Sequence, residues 1–145
     1  MPLNPDLRTT SVLLIDGSKE QRAYWANQRK HHSPDYLIVE AEDRASALTL
    51  YRSRRFDCVV LELALPDQLG FQLLQDLIPI PARPQVAVIV LTQLTQREVW
   101  DLARLYGAYV CFVKQHTTGN DMDIVLQRAV AFVEQMPKED RLQPI

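Results

Sequence analysis

Four side chains with chemistry in them stand at the ends of apolar runs. Asp16 follows Val12-Leu13-Leu14-Ile15, Glu62 follows Cys58-Val59-Val60-Leu61, Thr92 follows Val86–Leu91, and Lys114 follows Tyr109–Val113. If those runs are neighbouring strands, two carboxylates, a hydroxyl and an amine converge on one pocket. The plainest reading is an ion-paired cluster that holds strand ends, because a buried lysine without a counter-charge is costly. An acid with a lysine is a weak enzyme signature by itself. The four glycines (Gly17, Gly70, Gly107 and Gly119) form no G-x-G-x-x-G phosphate cradle. No Cys–His or Ser–His pairing stands out as a nucleophile with its base. Cys58 and Cys111 lie inside apolar runs and read as small buried hydrophobes. The adjacent His31 and His32 have no third ligand nearby, so no metal site is expected there.

The elements that must position these residues alternate. Apolar segments occur at Ser11–Ile15, Tyr36–Val39, Cys58–Leu61, Val86–Leu91 and Tyr109–Val113. The first, third and fourth are nearly continuous, as strands buried on both faces are. Helical patterns lie between and after them, at Lys19–Lys30, Arg44–Arg54, Gly70–Leu77, Gln96–Tyr106 and Asp121–Met136. Ala45, Leu48 and Tyr51 share one helix face, as do Val99, Leu102, Ala103 and Tyr106. Ser18, Asp43, Thr95 and Asn120 or Asp121 are the predicted caps. Strict alternation predicts an α/β fold: a doubly wound, five-stranded parallel sheet with helices on both faces. Such folds bind ligands outside the carboxyl ends of the strands, where the four side chains stand.

Composition narrows the function classes. The chain has 145 residues, 47% hydrophobic and 23% charged, with a net charge of −2. That suits one soluble domain with a single substantial core. It lacks the basic stripe of a nucleic-acid binder, and the short run Arg52, Arg54, Arg55 reads as a solvated helix end. No segment approaches the ~20 apolar residues of a membrane span and no signal peptide opens the chain, so a cytoplasmic location is expected. Residues 1–10 read as an N-terminal extension, 11–136 as the domain and 137–145 as a charged linker or tail. No DNA-binding output domain is expected.

The spacing is more informative than any single residue. Pro66 lies four residues after Glu62, Gly70 eight after it, and Lys114 lies 22 after Thr92. Together with Val12-Leu13-Leu14-Ile15-Asp16 and Gly107-Ala108, this pattern resembles the response-regulator receiver family over about Ser11 to Phe132. The resemblance implies a receiver, flavodoxin-like fold and two-component signal transduction. It implies an aspartate at the end of the third strand that accepts a phosphoryl group from a histidine kinase. Two acids after the first strand would hold magnesium, a hydroxyl and a lysine would bind the phosphoryl oxygens, and an aromatic residue on the fifth strand would report the state.

Asp16, Thr92 and Lys114 match that set; Glu62, Gly17 and Cys111 do not. Glu62 stands at the acceptor position with one methylene too many, and misplacement of about 1 Å can cost ~10²-fold in rate. Gly17 replaces a magnesium carboxylate, which leaves a weak site, since magnesium needs near-octahedral oxygen donors. Cys111 fills the aromatic switch position, with Phe112 facing the opposite side of its strand. Leu69 stands where an aspartate is common. Gln115 replaces a proline, so the Lys114–Gln115 peptide is expected to be trans. Lys114 is expected within ion-pair reach of Asp16 or Glu62.

The resulting expectation is an atypical, phosphorylation-independent receiver with no catalytic activity, cofactor or metal. Its degenerate phosphoacceptor pocket is Asp16, Gly17, Glu62, Thr92 and Lys114. It acts by binding another signalling protein or module such as a histidine kinase, and it contacts neither nucleic acid nor membrane. A homodimer is allowed, because receivers often dock or pair through the face of their fourth helix, fifth strand and fifth helix. The alternatives are a receiver phosphorylated on a non-standard acceptor and an unrelated small α/β enzyme.

Overall fold

The computed structural model describes residues 9–32 and 35–136, with the side chains of 29–32 left out. The elements in chain order are β1 (Thr10–Ile15), α1 (Lys19–His32), β2 (Tyr36–Ala41), α2 (Arg44–Ser53), β3 (Cys58–Leu61), α3 (Gly70–Leu77), β4 (Ala87–Thr92), α4 (Arg97–Leu105), β5 (Val110–Val113), a 3-10 turn at Lys114–His116, and α5 (Gly119–Glu134). All strand pairs are parallel and the order is β2-β1-β3-β4-β5. The winding direction reverses beside β1, which opens the crevice for a ligand above the ends of β1 and β3.

The strands sort their side chains by the period of two. Leu13, Ile15, Val59, Leu61, Val88 and Val90 pack with Leu48, Leu73, Leu74, Leu77 and Ala103 of α2, α3 and α4. Val12, Leu14, Cys58, Val60, Ile89 and Leu91 pack with Trp25, Met122, Leu126 and Ala129 of α1 and α5. Cys58 is fully buried, and Phe112 and Cys111 face opposite layers. Among the described residues no helix is long and apolar enough to cross a membrane.

Several expected boundaries need correction. β2 runs two residues further than its apolar core, to Ala41, because it is an edge strand where Leu37 and Glu40 face water. Ser18 and Asp43 cap as expected, accepting from Gln21 N and Ser46 N at 3.2 and 2.8 Å. Thr95 does not cap α4: the Gln96 carbonyl accepts from Val99 N and Trp100 N, so the helix starts one residue later. Neither Asn120 nor Asp121 caps α5. Thr118 does, through a reciprocal box in which Thr118 Oγ1 accepts from Asp121 N and the Asp121 carboxylate accepts from Thr118 N. The side chains of His31 and His32 and the tail 137–145 lie outside the described residues.

Candidate functional site

The end of β1 delivers Asp16 to the crevice with little freedom. Its backbone N–H donates to Ala41 O at 3.0 Å, and its Oδ1 accepts from Ser18 N at 2.9 Å. Arg22, from the first turns of α1, donates through Nη1 to the Asp16 carbonyl at 2.6 Å and pairs with Glu40 at 3.1 Å. β3 delivers Glu62 in the same way, its N–H bonded to Ile15 O at 2.9 Å. Both acids are nearly sealed from solvent, at 5% and 2% exposure. Lys114, at the end of β5, reaches across and donates to Asp16 Oδ2 at 2.5 Å and Glu62 Oε1 at 3.2 Å. Every peptide bond in the described residues is trans, Lys114–Gln115 included.

Glu62 has further partners that sequence reasoning did not reach. Its Oε1 also accepts from Gln93 N at 2.9 Å, and its Oε2 accepts from Ala64 N at 3.2 Å. Both are backbone donors in loops leaving β4 and β3, and no residue type announces them in advance. The longer side chain thus carries its carboxylate onto the donors at the strand ends. The cluster holds two carboxylates and one ammonium, each charge hydrogen-bonded, as burial in a low dielectric requires.

Gly17 opens onto the same cavity, of about 750 Å³, which is also bounded by Trp25, Leu65, Pro66, Gln93 and Gln115. A Cβ built on Gly17 would lie 2.6 Å from Pro66 Cδ and 2.7 Å from Cγ. The proline ring therefore occupies the space that any side chain at position 17 would need. Gly70 answers to a different constraint: a Cβ there would collide with the Leu63 backbone, so α3 must begin on glycine. Leu69 precedes it as an N-cap with no side-chain bond.

Thr92 and Cys111 do not line this cavity. Thr92 is fully buried, its Oγ1 accepts from Leu94 N at 3.1 Å, and it does not border the cavity. Cys111 packs on the α2–α3–α4 layer. Burial, with the negative charge of Glu62 adding to it and Arg104 opposing, pushes its thiol up to about 11.

The donor set does not fit magnesium. Asp16 is the one carboxylate at the end of β1, both of its oxygens have partners, and so do both of Glu62's. The Lys114 ammonium sits on the oxygens a cation would take, and a magnesium ion keeps near-ideal octahedral oxygen geometry. Among the described residues no three His, Cys, Asp or Glu side chains gather as a metal-binding group.

Residues 12–125 match the response regulator receiver domain, and the chain belongs to that family. Solved structures agree on the fold. The signal receiver domain of a DNA-binding response regulator from Colwellia psychrerythraea is 23% identical with a TM-score of 0.72, over 87% of this chain and 99% of that one. The chemotaxis response regulator CheY4 of Vibrio cholerae is 22% identical with a TM-score of 0.71, over 83% and 98%. A CheY-like receiver domain protein from Methanospirillum hungatei is 16% identical with a TM-score of 0.75, over 88% and 98%.

Proposed function

We propose that this receiver domain works in two-component signalling without being phosphorylated, as a binding module for another signalling protein such as a histidine kinase. The observation that carries the reading is the hold on Glu62. Its carboxylate accepts from Gln93 N, Ala64 N and Lys114 Nζ, so the oxygens that would attack a phosphoryl donor are committed to three donors. Lys114, one of the two donors an incoming phosphoryl group would need, is committed by the same contacts. Phosphoryl transfer depends on positioning and on metal neutralisation of the developing charge. The Lys114 ammonium on Asp16 and the glycine at position 17 oppose the second requirement as the Glu62 geometry opposes the first.

Binding falls to the surface. Exposed Leu102 and Leu105 on α4, Tyr109 ahead of β5, and Ile124 and Phe132 on α5 lie on the three consecutive elements at one sheet edge. Tyr109 and Phe132 meet edge to face at 5.6 Å between ring centres. This grouping supports the α4–β5–α5 face as the docking surface, for a partner protein or a second copy. The test is the intact mass of the chain after incubation with acetyl phosphate and magnesium. An unchanged mass is the expected result, and a phosphoryl adduct contradicts the reading.

A further inference from the structure

The loop from β4 to α4 is held in an unusual way. Three backbone groups in succession are each bound by a side chain. Gln93 N donates to Glu62 Oε1 at 2.9 Å, Leu94 N donates to Thr92 Oγ1 at 3.1 Å, and Leu94 O accepts from Trp100 Nε1 at 2.9 Å. Trp100 belongs to α4, so the indole ties that helix back onto the loop that Glu62 anchors. The Leu94 side chain packs under the same layer. The contacts run without interruption from the buried acid to the helix that carries Leu102 and Leu105.

From this chain of contacts we infer that Trp100 is a positioning residue that couples the Glu62 site to the outer face of α4. Cys111, partly buried against the α2–α3–α4 layer, makes none of these three contacts. The coupling is mechanical. Glu62 fixes the Gln93 amide, the adjoining Leu94 N–H and C=O are both bound by side chains, and the Trp100 indole ties the first turn of α4 to the Leu94 carbonyl. Whatever alters the hold on Glu62 must shift the Leu94 carbonyl and with it the helix. The inference rests on the reading of α4 as part of the docking face, and adds how that face is kept in one arrangement.

The link can be read with no partner and no phosphate donor. The chain has two tryptophans, so its ¹⁵N spectrum holds two indole cross-peaks, and loss of one in Trp25→Phe assigns the other to Trp100. In Glu62→Ala the Gln93 amide loses its acceptor. Protection of the Trp100 indole proton from exchange is expected to fall about three- to tenfold, the loss of one hydrogen bond of ordinary net strength. The Leu102 and Leu105 amide peaks should move with it. Glu62→Gln, whose one amide oxygen can still accept from Gln93 N although its Nε2 gives up the Ala64 N contact, should lie nearer the native spectrum than Glu62→Ala does. Thr92→Val removes the Leu94 N acceptor at nearly constant shape and should reproduce the Glu62→Ala effect, which covers the case in which Glu62→Ala does not fold. Arg44→Ala breaks the Arg44–Asp76 pair on the α2–α3 side and serves as a control. The inference is overturned if Trp100 and α4 are unmoved in both Glu62→Ala and Thr92→Val, if Glu62→Gln behaves like Glu62→Ala, or if Arg44→Ala has the same effect. Such a failure leaves the phosphorylation-independent reading untouched, because that reading is tested by phosphoryl labelling.

Discussion

Gly17 and Pro66 are fitted to one another: the proline ring sits where the first side-chain carbon of residue 17 would be, 2.6 Å from it at Cδ. The glycine at position 17 is therefore part of the packing of the cavity, and a side chain there requires the β3–α3 loop to give way.

Gly17→Asp should destabilise the fold by about 1–3 kcal/mol, the usual result of forcing atoms into occupied space. Pro66→Ala removes the two ring carbons that collide. The double variant should be more stable than the sum of the single effects predicts, because the two positions touch. Urea unfolding midpoints of the four proteins check this, and strict additivity would show that the ring moves aside freely.

Removing Lys114 should be more damaging. Its ammonium serves Asp16 at 2.5 Å and Glu62 at 3.2 Å, and all three side chains are largely buried. Lys114→Met leaves two neighbouring buried carboxylates without a counter-charge and should cost about 3–5 kcal/mol. Denaturant unfolding at neutral pH measures it. A loss within experimental error would mean the pair contributes no more than an exposed one.

The Cys111 thiol, raised to about 11 mainly by burial, should react slowly with iodoacetamide at pH 8 in the native protein and quickly once unfolded. The sign of its linkage follows. The folded value lies above the unfolded one, so its contribution to stability is complete below the ordinary thiol range and is lost as pH rises towards about 11. Asp43 and Asp121 go the other way. Their capping bonds to Ser46 and Thr118 hold both carboxyls below the usual range, so their contribution is present above about pH 4 and fades as pH falls through the lowered values. Replacing Cys111 with Ser should reduce the alkaline loss of stability, to which Tyr51, also raised by burial, still contributes, and leave the acid part.

Much of the fold was legible because strands buried on both faces are written as continuous apolar runs, and Ser11–Ile15, Cys58–Leu61 and the run into Thr92 are of that kind. The convergence of Asp16, Glu62 and Lys114 was legible for the same reason, since each follows a strand in a parallel sheet. What was not legible depends on backbone groups or on contacts made only in three dimensions. The donors that hold Glu62 are main-chain amides of Ala64 and Gln93. The Pro66 ring on Gly17 brings together positions far apart in the chain, and the Trp100 indole bonds a carbonyl, which every residue type carries. The α5 cap is a different miss. Thr118 with Asp121 three residues later is a reciprocal capping box visible in the sequence, and the helix begins at Gly119, two residues before the expected start at Asp121.

Magnesium binding should be weak. The donors at Asp16 and Glu62 are already occupied, and Lys114 adds a positive charge beside them. Titration calorimetry is expected to show no site tighter than about 1 mM, as a single-carboxylate site should behave. A tighter site would mean that Lys114 can be displaced from Asp16.

We propose that what stands at Glu62 and Gly17 keeps the site from taking up a phosphoryl group. Labelling with radioactive acetyl phosphate and magnesium tests it most directly, on the native chain beside a variant carrying Glu62→Asp, Gly17→Asp and Pro66→Ala, the last to make room for the new side chain. No label is expected on the native chain, and acid-stable, base-labile label is expected on the variant, as an aspartyl phosphate would give. Label on the native chain at a rate comparable to the variant's would contradict it, and the protein would then be an ordinary receiver with glutamate as its acceptor.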